Sequence, residues 1–595
     1  MTDWLRLLRH VTGLAVRSDR RAAMLLCALT IGQAGVIAAM GLSQRWLVDS
    51  SAAGQVSAVV GAVALGAAGA AVSATAGRVE NNLFIYLSGR VRMAFNAEIQ
   101  YAVSSIPTIV HVEYGPYIDR WNRIFRSSQS IAALPWSTLN AVTTAVSLVV
   151  TIGLLAWVSP VLCLLAVLGV PLFLATRRAD RLLREARDES AETLRHEQRL
   201  HELCVQPEPA KEVMLASSGE TLSLRASKLW EATVARETGA RLRATAYQGG
   251  AWLLYAAGLA TALLVVADLI SAGRTTVGAA VMVVTLATQL QNQLRTVLDS
   301  LTAVAEAGQV VDHYWWLRRY VDETARPGGP APDTLVGGIA LHGVRFRYPG
   351  SEQDVLRDID LRLPAGSTVA VVGANGAGKS TLIKLLTGVH EPTAGHITVD
   401  DEPLSSIGRT HWRASLSGVF QDFARIRLLT RETIGVGSIR YIRHRPTLRA
   451  AVDRADAADV LASLPQGLDS QLGAEFDGVE PSLGQWQRLA LARSLMREVT
   501  GDRPPLCVVL DEPTAALDPL AEHDLFRHFV RQVRAATSHG AVTVLVSHRF
   551  TTVRMADLIV VLADGRVAET GSHAELMAAG GGYAELYRLQ ERAYR

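Results

Sequence analysis

Nine successive residues near the middle of the chain carry its clearest chemistry: Gly373, Ala374, Asn375, Gly376, Ala377, Gly378, Lys379, Ser380 and Thr381. Glycines at this spacing let backbone N–H groups turn inward around an anion. The lysine reaches terminal phosphates, and the serine hydroxyl can ligate Mg²⁺. An apolar stretch, Thr368 to Val372, precedes the run, and a helical pattern, Leu382 to Leu386, follows it. That strand–loop–helix setting is what a phosphate-binding loop needs. Farther along, Leu506 to Leu510 reads as a buried strand that ends in Asp511 and Glu512. One carboxylate can hold Mg²⁺ through water while the second orients an attacking water, two roles that need two acids. Lys379 also stands out by rarity, since Lys211, Lys228, Lys379 and Lys384 are the only lysines among 59 basic side chains.

The elements that position these residues occupy the second half of a very apolar chain. Of 595 residues, 49% are hydrophobic and 19% charged, with a mean hydropathy of +0.19. Soluble proteins carry about 25% charged residues, so membrane-embedded segments are expected. The net charge of +3 is too small to suggest nucleic acid as a partner. Cys27, Cys163, Cys204 and Cys507 show no metal-ligand or disulfide spacing.

The apolar runs lie in residues 1–325. Six spans are expected, near 22–42, 56–76, 137–158, 161–176, 251–270 and 277–293. Arginines crowd the loop Arg177 to Arg243 and the loop from Arg78 to Arg126, while the short connections hold little beyond Arg45 and Arg274. Positive charge stays on the cytoplasmic side of the cytoplasmic membrane, which predicts that both termini and both long loops are cytoplasmic. The helical spacing within those loops predicts that the membrane helices project into the cytosol. Trp4 to Leu14 reads as an amphipathic helix on the inner membrane surface. Residues 326–334 form a Pro/Gly-rich linker, and 335–595 alternate short strands with helices, as an α/β nucleotide-binding domain does.

With the phosphate loop, the paired acids and the apolar runs in place, the whole chain resembles a bacterial half-transporter of the ABC exporter type. The resemblance implies an all-α six-helix transmembrane domain followed by an α/β P-loop domain, with ATP and Mg²⁺ as its cofactors. It implies that Tyr348 stacks on adenine, that Gln421 senses Mg²⁺, and that His548 contacts the γ-phosphate. Lys379, Gln421, Glu512 and His548 then form the catalytic set, and Ser380, Gln421 and Asp511 hold the metal, Asp511 through water. Ser482, Gly484 and Gln485 match the signature that closes on a partner's nucleotide, and Asp518 matches the loop that links two such sites. The signature departs from the family at one point, where Leu483 replaces a glycine. A leucine there is expected to resist a positive φ and so to weaken the closure.

The resemblance further implies short coupling helices. Candidates are His111 to Arg120 and Pro209 to Val213. One nucleotide domain per chain requires a dimer, either a homodimer or a heterodimer with a second half-transporter. Ionisable groups are scarce in the spans, with Asp268 near an outer end and a Gln289, Gln291, Asn292, Gln293 cluster near an inner one. The polar cluster faces either an aqueous cavity or simply a helix end. Trp252 and Tyr255 read as interface anchors, with cavity aromatics as the alternative. The scarcity of charge favours export of an amphipathic or hydrophobic cargo, a peptide, lipid-like metabolite or drug. The alternative is an importer on the same fold, for example of a siderophore. A non-transport sensor would need an idle ATPase, against which Glu512 speaks, and a soluble DNA-repair ATPase has no use for six apolar spans. No leader-trimming peptidase domain is expected ahead of the first run.

Overall fold

The computed structural model describes residues 2–325, 328–501, 504–511, 540–547 and 550–593. They form two compact units, Met1–Tyr101 with Trp121–Trp316, and Ala102–Arg120 with Leu317–Arg595. The helices, in chain order, are α1 (Thr2–Ser18), α2 (Arg20–Ala52), α3 (Val56–Ser105), α4 (Val110–Glu113) and α5 (Gly115–Arg126). They continue as α6 (Ser128–Val158), α7 (Leu164–Val205), α8 (Pro207–Leu215), α9 (Gly219–Ser271) and α10 (Val277–Thr324).

In the first unit, α3, α7, α9 and α10 run 50, 42, 53 and 48 residues. At about 1.5 Å per residue each is at least twice as long as the roughly 30 Å hydrocarbon core of a bilayer. The helices therefore continue well past a membrane. Among the described residues, Arg20–Ala52, Val56–Ser105, Ser128–Val158, Pro160–Val205 and Gly219–Ser271 are long and apolar enough to cross one. The sixth expected run lies in α10, where the glutamine cluster thins the hydropathy.

That cluster has a packing role. Gln291 and Gln293 are buried, and the Gln293 amide donates to Ser147 Oγ at 2.9 Å and Thr151 Oγ1 at 3.1 Å on α6. In a bilayer an unpaired amide has no water to turn to, so such bonds fix helix neighbours. Neither an aqueous cavity nor a bare helix end describes Gln291 and Gln293. Tyr255 also departs from expectation: it is buried, and its hydroxyl donates to the Ala287 carbonyl at 2.8 Å, pinning α9 to α10. Trp252 is exposed, and Asp268 is exposed in the last turn of α9. Where helices approach most closely there are glycines: a Cβ on Gly258 would lie 2.1 Å from Leu168 Cδ1, and one on Gly169 2.3 Å from Leu294 Cδ1.

The first helix differs as well. Its stripe Leu7, Val11 and Ala15 is buried inside the protein, and His10 Nε2 meets Glu98 Oε2 at 2.8 Å. A stripe at i, i+4, i+8 looks the same from sequence whether lipid or protein covers it. Here protein covers it.

Among the described residues the second unit holds ten strands. A four-stranded antiparallel sheet, β2-β1-β4-β5, contains β1 (Gly338–Phe346), β2 (Leu356–Pro364), β4 (Ala394–Val399) and β5 (Glu402–Pro403). A six-stranded sheet, β10-β9-β3-β8-β7-β6, contains β3 (Thr368–Gly373), β6 (Leu416–Val419), β7 (Cys507–Asp511), β8 (Val542–Val546), β9 (Leu558–Ala563) and β10 (Arg566–Gly571). All its pairs are parallel except β9 with β10. Strands β7 and β8 are buried at every position, the continuous apolar reading of a sheet covered on both faces. Between the sheets, α11 (Lys379–Leu386) buries Leu382, Ile383, Leu385 and Leu386 beside Trp412. A helical layer built on α13 (Thr430–Gly435), α14 (Arg445–Arg454), α15 (Ala458–Ser463) and α16 (Leu483–Thr500) packs a second core around Trp486, with α12 (Arg409–Ala414) carrying Trp412 in the first.

Gln293→Leu should cost about 1 kcal/mol of stability, the scale of interhelical hydrogen bonds in membranes. Thermal unfolding in lipid nanodiscs would show it as a lowered midpoint, with the half-buried Gln289→Leu as the control. An unshifted Gln293→Leu midpoint would mean that the amide does not hold α6 to α10.

Candidate functional site

The carboxyl ends of the parallel strands bring the predicted residues to one edge. Val371 pairs with Val546, which pairs in turn with Asp511, and Val419 pairs with Leu510. The loop after β3, the acid that ends β7 and Gln421 just beyond β6 therefore share the edge where open α/β sheets bind ligands. Adjacent strands lie about 4.8 Å apart, so two steps separate Asp511 from the β3 row by about 10 Å.

The loop itself is a cradle. Gly376 has φ +82 and Gly378 has φ +101, a region that costs L residues about 1–2 kcal/mol. A Cβ on Gly378 would also sit 2.7 Å from Leu356 Cδ2. Ala374, Asn375, Gly376 and Ser380 are exposed at its crown, while Gly373 is half-buried and Ala377, Lys379 and Thr381 are buried. Lys379 donates through Nζ to the carbonyls of Gly373 at 2.9 Å and Ala374 at 3.0 Å. An ammonium held over the mouth of its own loop is aimed where an anion would bind. Asp511 is buried at the end of β7. The exposed Ser380 hydroxyl and this carboxylate are oxygen donors of the kind Mg²⁺ takes.

Tyr348 stands next to the loop: its hydroxyl lies 3.1 Å from Thr381 Oγ1, and its ring meets Phe346 edge-on at 4.9 Å. Lys384 holds its ammonium 5.5 Å from the same ring. Gln421 is exposed. Glu512, Asp518 and His548 lie outside the described residues.

The signature segment reads differently from its expected strain. Ser482 is the N-cap of α16, accepting from the Gln485 N–H at 3.3 Å, while its own N–H donates to Gln485 Oε1 at 2.8 Å. This reciprocal cap makes Leu483 the first helical residue, with no positive φ. Leucine is at home there, so the expected strain does not arise. Leu483 remains 49% exposed.

One contact had only a faint trace in the sequence. The candidate coupling segment belongs to the second unit, with α4 seated on α11. Glu113 receives Lys384 Nζ at 2.7 Å through one oxygen and meets His390 Nε2 at 2.8 Å through the other. Tyr114 lies against Gly350, where a Cβ would come within 2.9 Å of its ring. Burial works against the Lys384 charge, yet the Glu113 bond outweighs it and raises the lysine pKa. Burial pushes His390 down from its usual range, against the pull of Glu113. The rarity of lysine pointed at Lys384; no signal pointed at His390. The other coupling candidate forms α8, whose Met214 and Leu215 are exposed.

With this geometry in place, comparison with known proteins is informative. Residues 356–515 match the ABC transporter family. The chain is 36% identical over 345 residues to an ATP-dependent lipid A-core flippase of Dechloromonas aromatica, covering 56% of this chain and 55% of the relative. It is 35% identical over 330 residues to an ATM1-type heavy metal exporter of Novosphingobium aromaticivorans, covering 54% and 50%. A nisin transport ATP-binding protein of Lactococcus lactis is 34% identical over 257 residues, covering 43% and 41%. The chain spans about half the length of the curated relatives it matches. In fold it matches the structure of a bacterial Atm1-family ABC exporter with ATP bound, with TM-score 0.74 and 24% identity over 96% of this chain and 98% of that one.

Gly378→Ala should weaken nucleotide binding about tenfold, the equivalent of the left-handed strain it adds. Titration with a fluorescent ATP analogue would measure it, and unchanged affinity would show that the loop relaxes freely. His390 predicts a pH dependence. Its folded pKa lies below the ordinary value, so the folded state binds fewer protons than the unfolded one; the stability gained from burying it neutral is present above about pH 6.5 and is lost as pH falls below it. Thermal unfolding at about pH 7.5 and about pH 5.5 should show a decline that His390→Gln reduces. An identical decline in the variant would assign it to other groups.

Proposed function

We propose that this chain, which carries the fold of an ABC exporter half-transporter, hydrolyses ATP and uses it to export an amphipathic or hydrophobic cargo across the cytoplasmic membrane. The observation that carries the reading is the union in one chain of membrane-length helices and a sheet edge where the phosphate cradle, Lys379, Asp511 and Gln421 converge. The relatives support it, being named for lipid, metal and peptide transport.

In this reading the cradle N–H groups and Lys379 hold the phosphates, and Tyr348 supports adenine. Ser380, Gln421 and, through water, Asp511 would hold Mg²⁺, which would supply charge neutralisation to the phosphate oxygens. Glu512 orients the attacking water, and Gln421 and His548 flank the γ-phosphate. Two copies, or this chain with a second half-transporter, each complete the other's site through Ser482, Gly484 and Gln485. Asp518 has the role of linking the two sites in this reading. Nucleotide binding then favours the closed pair, and loss of the γ-phosphate contacts releases it. The arginine-rich long loops support a topology with both termini and the ATP-binding domain in the cytoplasm.

The chain purified alone in lipid nanodiscs should hydrolyse ATP, and Glu512→Gln should lower the rate by about a hundredfold or more while ATP still binds. Inactivity in both with ATP bound would mean that a partner subunit is required. Movement of cargo into the compartment opposite the ATP-binding domain confirms export, and movement toward it makes the chain an importer.

A further inference from the structure

A cavity of about 490 Å³ lies inside the first unit, walled by α2, α3, α6 and α10. Its size is that of a pocket for a small organic molecule. Its charged lining consists of Glu80 and Asp299, and no Lys, Arg or His lines it among the described residues. Glu80 lies only four residues past the second apolar run and is half-buried. An ionisable group so close to a membrane span is costly unless it meets a partner. Thr30 donates to one Glu80 oxygen at 2.6 Å, which satisfies a lone pair but not the charge. Asp299 reaches Arg295 only loosely, at 3.9 Å with both side chains mostly exposed, a pair of the kind worth about 0–1 kcal/mol.

Two donors in the same lining are unpartnered. Trp136 is 8% exposed, and its indole N–H has no acceptor; the Gln33 amide nitrogen is likewise buried without a partner. Buried polar groups are normally satisfied, and an orphan is destabilising until an acceptor reaches it. Beside them, Phe84 and the Trp136 ring supply apolar wall. Carboxylates call for a cation, the orphan N–H groups for an acceptor oxygen, and the rings for an apolar body.

We propose that this cavity binds an amine-bearing amphiphile with a carbonyl oxygen near its ammonium, and that such cations are the cargo class. The inference deepens the transport reading and rests on it for the second clause. With two carboxylates and no basic side chain, the cavity repels a phosphorylated headgroup. Its ligand chemistry is therefore opposite in charge to a phosphate-bearing lipid.

The test measures equilibrium binding of radiolabelled N-lauroyl-ethylenediamine to the full chain in nanodiscs, with empty nanodiscs subtracted and no nucleotide present. Its neutral N-acetyl twin and lauryl phosphate serve as comparisons. The amine should bind saturably and best of the three. Glu80→Gln and Asp299→Asn should each weaken it about tenfold, and Trp136→Phe, which removes the N–H but keeps a ring, about threefold. Glu192→Gln, an exposed acid on α7, should change nothing. Equal affinity across the carboxylate variants, or tighter binding of lauryl phosphate, overturns the proposal. Thermal unfolding checks that each variant is folded; if Glu80→Gln is not, the exposed Asp299→Asn decides. Lost carboxylate dependence in a chain that hydrolyses ATP removes the pocket alone. Carboxylate-dependent binding in a chain that cannot hydrolyse ATP removes the pump and leaves the pocket.

Discussion

Glu113 is the interaction on which the working of the second unit turns. Its two oxygens engage Lys384 and His390, and Lys384 sits on α11, the helix that begins at Lys379 of the phosphate cradle. Any shift of α11 when phosphates bind is delivered directly to α4. The chain that leads into that short helix is α3, 50 residues long, so a displacement at the phosphate cradle has a covalent route into a helix of membrane length. A charge-assisted pair is suited to this because it resists both pulling and sliding. Burial works against the Lys384 charge and the Glu113 bond offsets it, while the buried His390 fixes the direction of the carboxylate.

The chemistry at the sheet edge was legible in advance because backbone geometry demanded particular residues. A loop that wraps phosphate needs glycines at set positions, and a buried parallel strand needs an unbroken apolar run; both patterns survive in any sequence that folds this way. The strand order then placed Asp511 and Gln421 at the same carboxyl edge of the sheet as the loop without further signal. What stayed hidden were choices of partner. Amphipathic spacing in α1 could not say whether lipid or protein covers Leu7 and Val11. Gln291 and Gln293 read as polar but could not show which helix they face. Tyr255 has the amphipathic character of an interface anchor, yet its hydroxyl is spent on the Ala287 carbonyl. Long-range pairing, such as Glu113 with His390, leaves no local periodicity at all.

The same distinction separates the two halves in how far they specify function. The nucleotide edge is specified by backbone, and backbone requirements are shared by every protein that binds phosphates this way. The cavity between α2, α3, α6 and α10 is specified by side chains alone. Helices of this length tolerate many substitutions on a cavity wall so long as the packing glycines and the α6–α10 hydrogen bonds remain. Its charge can therefore vary independently of the helical frame around it, and the relatives' different names are consistent with that freedom.

Leu483 shows how a departure from a motif can be neutral in backbone and still consequential at a surface. The Ser482–Gln485 cap supplies the turn that a glycine would otherwise have to adopt, and leucine in a helix avoids the roughly 1 kcal/mol that glycine costs. The segment is therefore set in place before any partner arrives. Its exposed leucine lies beside the Ser482 hydroxyl that the dimer reading directs at the other copy's nucleotide. An apolar side chain at such a position gains by being covered, about 25 cal/mol for each Å² removed from water. The substitution thus moves part of the closing energy from backbone adaptability to side-chain burial, and the hydroxyl that must reach the phosphate keeps its place.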